Sequence, residues 1–103
     1  MDQKTTFIAT LVVERMRVSR ESDEVTVTLC GVDLEQQKDL RIVATRVSRV
    51  RFDAVFEGTF ELHDFRLSDI GHWQRQGVNF LLTDESLGIL HVECHDVSVN
   101  FTS

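Results

Sequence analysis

The sequence predicts a small antiparallel all-β domain: a two-sheet sandwich or a partly open barrel of about eight strands, with one short helical turn near residues 68–76. Three observations carry this. Apolar and polar residues alternate along most of the chain, as in Val50, Phe52, Ala54 and Phe56 against Arg49, Arg51, Asp53 and Val55, and in Leu90, Val92 and Cys94 against His91, Glu93 and His95. Period two sets one face of a strand on a core and the other on water. Helical spacing is confined to one stretch, and proline is absent, so turns fall to Gly, Asp, Ser and Asn.

The first strand spans about Phe7–Val18. Its first half is apolar on both faces, which suits a central strand or one covered on both sides, and Ile8 and Val12 are assigned to the core. Ser19–Asp23 links it to a second strand, Glu24–Val32, as a hairpin. Asp33–Lys38 is a polar loop or at most one helical turn. A third strand follows at Leu40–Thr45, a fourth at Arg49–Phe56, and a tight turn at Glu57-Gly58.

A fifth strand starts at Thr59, with Phe60 and Leu62 inward. The apolar set then moves to Phe65 and Leu67, and this change of phase requires a β-bulge near His63-Asp64. Ser68–Gln76 is the candidate helical turn, with Ser68 or Asp69 as its cap and Gly77 as its end. Val78–Thr83 and Ile89–Cys94 form a hairpin around Asp84–Gly88. A second change of phase near His95-Asp96 precedes a last strand, Val97–Phe101. The rest of the expected core is Val25, Val27, Leu29, Leu40, Ile42, Val50, Phe52, Phe56, Phe60, Leu62, Phe80, Leu82, Leu90, Val92, Val97 and Val99.

One hundred and three residues make one domain over 1–103, long enough to bury a core without metal or disulfide staples. Seventeen acidic and eleven basic residues give a net charge of −6. That balance disfavours nucleic acid, whose binding needs a positive surface, and favours a protein partner with a basic patch. No apolar run is long enough to span a membrane and no signal peptide is visible, so a cytoplasmic protein with reduced thiols is expected.

The sharpest constellation is His91-Val92-Glu93-Cys94-His95. On a regular strand His91, Glu93 and His95 share a face at about 6.5–7 Å spacing, a donor set for a transition metal. The simpler reading is a polar outer face, with the bulge near His95 turning that ring away and leaving two ligands. No metal and no cofactor are expected. Cys94 shares its face with Leu90 and Val92 and is read as a buried, inert thiol, while Cys30 is read as more exposed.

Arg41, Arg46, Arg49 and Arg51 form a basic run. It is either a site for an anion or an acidic partner, or a set of cross-strand partners for Asp53, Glu57 and Glu61, and the second is favoured because the chain as a whole is acidic. Trp73 is the only tryptophan and stands beside His72 in the helical turn. Both are candidate partner-binding residues, and Trp73 serves equally as a plug at the open end of the core. The chain has no GxGxxG, P-loop, GxSxG, HExxH or CxxC motif.

The stretch Leu67-Ser68-Asp69-Ile70, Trp73, Gly77-Val78, Phe80, Asp84-Glu85, Ile89, Val92 and Cys94 resembles the C-terminal part of small bacterial all-β proteins of unknown function and of immunity proteins from polymorphic toxin systems. It covers about a third of the chain and contains no catalytic motif. The resemblance implies a non-enzymatic bacterial binding protein, and together with the net charge of −6 and the missing catalytic motifs it leads to the expectation of an immunity-like protein that blocks a basic toxin by charge complementarity. The rival expectations are a metal-binding protein or metal-dependent enzyme using His91, Glu93 and His95, and a homo-oligomeric structural module pairing through a strand edge or Trp73.

Overall fold

Alternating residues build long strands in this chain because most breaks in the alternation are absorbed as irregularities inside a strand. The computed structural model describes residues 4–52, 59–71, 78–86 and 88–102. Its strands are β1 (Lys4–Glu21), β2 (Glu24–Asp33), β3 (Lys38–Phe52), β4 (Phe60–Asp69), β5 (Phe80–Asp84) and β6 (Leu90–Thr102). All pairings are antiparallel, and the strands close into a barrel in the order β1-β2-β3-β6-β5-β4.

The all-β antiparallel class therefore holds, while the strand count and the open edge do not: the described residues form six strands in a closed barrel. The expected third and fourth strands are one strand, β3, and the expected last two are one strand, β6. Ser68 and Asp69, expected to cap a helical turn, end β4 instead. Residues 72–76 of that turn, with His72 and Trp73, lie outside the described residues, as do Phe56 and the Glu57-Gly58 turn. Among the described residues no helix is long and apolar enough to cross a membrane.

Barrel closure requires strands to coil, and a bulge supplies local bend and twist. On β4 the pairing steps from Ala9↔Phe65 to Leu11↔Leu62, so β4 carries an extra residue at His63-Asp64, where the change of phase placed it. Thr10 Oγ1 donates to the His63 carbonyl at 3.1 Å at this bulge. On β3 the register shifts between Val47 and Arg49, and Ser48 Oγ donates to the Glu93 carbonyl at 3.3 Å.

The change of phase near His95 has another origin. Thr45 faces Asp96 and Val47 faces Cys94, with no slip between them. Both strands exchange faces together, with Arg46 in the left-handed region at φ 53. The inward set thus passes from Ala44 and Val97 to Val47 and Cys94 without a change of register.

The core is built from the inward residues Ala9, Leu11 and Val13 of β1, Val27 and Leu29 of β2, Leu40, Ile42 and Ala44 of β3, Leu62, Phe65 and Leu67 of β4, Leu82 of β5, and Leu90, Val92 and Cys94 of β6. Val50, Phe52, Phe60, Phe80, Val97 and Val99 pack against it as expected. Two assignments are reversed: Ile8 is 54% exposed and Val12 points outward, because Ala9, Leu11 and Val13 take the inner face of β1. With apolar residues on both faces, alternation alone could not choose between them. Val25 is half-buried and stands outside the core cluster.

Gly31 pairs with Val13. A Cβ at Gly31 would lie 2.0 Å from the Val12 carbonyl oxygen, so glycine is required here for space between two backbones.

Candidate functional site

The row containing Glu93 is covered on the outside of the barrel. Ser68, Leu81 and Glu93 occupy facing outward positions on β4, β5 and β6, since Ser68 pairs with Leu81 and Leu81 with Glu93. All three are buried. Ile70 and Val78, from the two ends of the β4–β5 connection, form a second apolar cluster with Leu81 over this row. The backbone closes it: Ile70 N donates to the Asn79 carbonyl at 2.8 Å, and Asn79 N to the Cys94 carbonyl at 2.9 Å.

Within this cover the sequence cluster divides. A 3.0 Å hydrogen bond joins His91 Nε2 to Glu93 Oε2, and Arg49 Nε lies 3.7 Å from the same oxygen. His95 Nδ1 instead meets Asp96 Oδ2 at 3.0 Å, and His63 Nε2 meets Glu61 Oε2 at 3.3 Å. His91 and Glu93 thus come together without His95, and among the described residues no group of three or more His, Cys, Asp or Glu side chains is placed to hold a metal ion. The buried carboxylate fixes the orientation of the His91 ring beside an open pocket of about 320 Å³ lined by Arg49, Val50, Arg51 and His91. His91 is therefore not the ordinary surface position that alternation implied.

The basic run is split by the fold. Arg46 pairs with Glu24 at 3.4 Å and Arg49 with Glu93, whereas Glu61, an expected partner, is joined to His63. Asp53 and Glu57 lie outside the described residues. Cys94 is fully buried in the core, as its phase implied, and burial pushes its thiol up to about 12. Cys30 is half-buried, and neither cysteine is in a disulfide.

The outer wall of β1, β4 and β5 is the surface that alternation missed. Ile8 pairs with Arg66 and Val12 with Glu61, both facing away from the core. Leu34, 44% exposed, is held beside Thr10 by a 2.9 Å bond from its amide to the Thr10 carbonyl. Acidic residues share this wall, with Glu61 paired to Val12. Glu35 follows Leu34, and Glu85 is anchored by its amide to the Asp64 carbonyl at 2.9 Å. Arg66 is held by Asp64 through Nε–Oδ1 at 3.1 Å and Nη2–Oδ2 at 3.2 Å, which raises its pKa further and neutralises the wall's cation.

The usable signal for this wall was the doubly apolar first half of β1, which means that one face must be exposed or covered by something else. The candidates His72 and Trp73 lie outside the described residues. Comparison with known protein families, with curated proteins and with solved structures returns no match to this chain.

Proposed function

We propose that the protein is a non-enzymatic binding protein that docks a basic protein partner on the outer wall of β1, β4 and β5, in the immunity-like role that its C-terminal third resembles. The exposure of Ile8 on a wall that also presents Glu61 and Glu85 carries this reading. Protein interfaces combine an apolar centre with a polar rim, and charge on the rim speeds encounter and selects the partner. Ile8, Val12 and Leu34 supply the centre, and Glu35, Glu61 and Glu85 supply the rim. A chain of net charge −6 draws a cationic partner from a distance in the same sense.

A second copy of the chain fits the wall less well, because two acidic rims would meet. The metal-dependent reading keeps only His91 and Glu93 of its donor set.

The test is affinity capture from the source cells at low salt, with the retained protein identified and its binding measured in purified form. A basic protein should bind the wild type, dissociate as salt rises, and fail to bind Glu61→Lys/Glu85→Lys. Undiminished binding to that double variant would refute the wall as the docking surface.

A further inference from the structure

A second surface, away from that wall, has the opposite charge. On the outer face of β1, β2 and β3 the central strand presents Thr26, Thr28 and Cys30 beyond Glu24 at its start, β1 presents Arg15 and Arg17, and β3 presents Arg41 and Val43. Arg15 faces Cys30 from β1, Arg17 faces Thr28, and Arg41 faces Cys30 from β3. A floor of short residues between Arg15 and Arg17 on one side and Arg41 on the other makes a groove of about 600 Å³. It is roughly two strand spacings, or about 10 Å, across.

We propose that this groove binds the phosphate groups of a small phosphorylated ligand, with a di- or triphosphate as the recognised unit. Arg46, Arg49 and Arg66 each lie within ion-pair distance of an acid. Among the described residues Arg15, Arg17 and Arg41 make no such pair, so three guanidinium groups on one face are left for a ligand. The guanidinium fork matches phosphate oxygens two at a time, and Thr26 and Thr28 add hydroxyl donors between the forks. The acids of the groove, Glu21 and Glu24, sit at the hairpin tip, and Glu24 is joined to Arg46 at 3.4 Å.

Compact size follows from the charge balance. A long polyanion would feel the whole acidic chain, whereas a small one within a Debye length of about 10 Å feels mainly the arginines. The described lining holds no aromatic side chain and only Val43 as an aliphatic one, so it offers little to a nucleobase or to the apolar side chains of an acidic peptide.

Calorimetric titration with inorganic pyrophosphate, tripolyphosphate and ATP at low ionic strength tests this. Pyrophosphate should bind one-to-one. Arg15→Ala/Arg41→Ala should weaken it by about tenfold or more, and Arg20→Ala, on the opposite face of β1, by less than about twofold. Equal binding of tripolyphosphate and ATP identifies the phosphate chain as the whole ligand, and tighter binding of ATP identifies a nucleotide.

Cys30 gives an independent readout in the unmodified protein, because Cys94 is buried. Saturating pyrophosphate should slow maleimide labelling of Cys30 relative to chloride at matched ionic strength. Absence of pyrophosphate binding at millimolar concentration, unchanged binding in the double arginine variant, an unchanged labelling rate, or tighter binding of a glutamate-rich peptide than of pyrophosphate would each overturn the proposal.

Discussion

Ile8 and Arg66 face one another across β1 and β4 on the outside of the barrel, while their neighbours Ala9 and Phe65 face one another inside it. This one-residue difference decides which face of an apolar strand is buried in the core and which lies on the outer wall. Ile8→Thr should therefore change stability by less than about 1 kcal/mol, as at a surface site, whereas Leu11→Ala should cost about 2–5 kcal/mol. Chemical denaturation of both variants checks this. Comparable large losses would place Ile8 in the core.

Gly31→Ala should destabilise by about 3 kcal/mol or more, since the new Cβ would meet the Val12 carbonyl at 2.0 Å and one of two paired backbones must shift. A change within about 0.5 kcal/mol would show that β1 and β2 do not approach this closely.

Cys94 links stability to pH. Its thiol titrates near 9.0 when exposed and near 12 in the fold. Below 9 both states hold the proton, and stability is full. Between those values the unfolded state loses it first, so stability falls as pH rises. Urea titrations from pH 8 to 11 should show this decline, and Cys94→Ala should lack the part due to the thiol. In thiol labelling of the native protein, Cys30 should react well before Cys94. Fast native labelling of Cys94 would contradict its burial.

His91→Ala should cost about 1–3 kcal/mol, because it removes a hydrogen-bond partner from the buried Glu93 carboxylate. His95→Ala, whose ring meets Asp96 at the surface, should cost less than about 1 kcal/mol. Equal effects would mean that the two rings share one environment.

The all-β class and most of the core were legible because alternation records which face of a strand is buried, and the bulge at His63-Asp64 was legible because a bulge shifts that record by one residue. The same mark was ambiguous elsewhere. At Arg46 and His95 two paired strands change faces together, which reads in either strand alone as a strand end. The phase of β1 was hidden because both of its faces are apolar.

The Arg15, Cys30 and Arg41 alignment depends on pairing register across three strands, which residue order does not encode locally. The burial of Glu93 was equally hidden, since Ile70 and Val78 reach its row from another part of the chain.

The most direct test of the proposed docking wall is carboxyl footprinting, with carbodiimide and an amine, of the protein alone and saturated with a basic partner recovered by capture. Glu35, Glu61 and Glu85 are exposed in the free protein and should be modified readily there. In the complex their modification should fall several-fold, while Glu21 and Glu24 at the hairpin tip stay unchanged. Protection of Glu21 and Glu24 with Glu61 and Glu85 still reactive would contradict the assignment of the wall as the partner site.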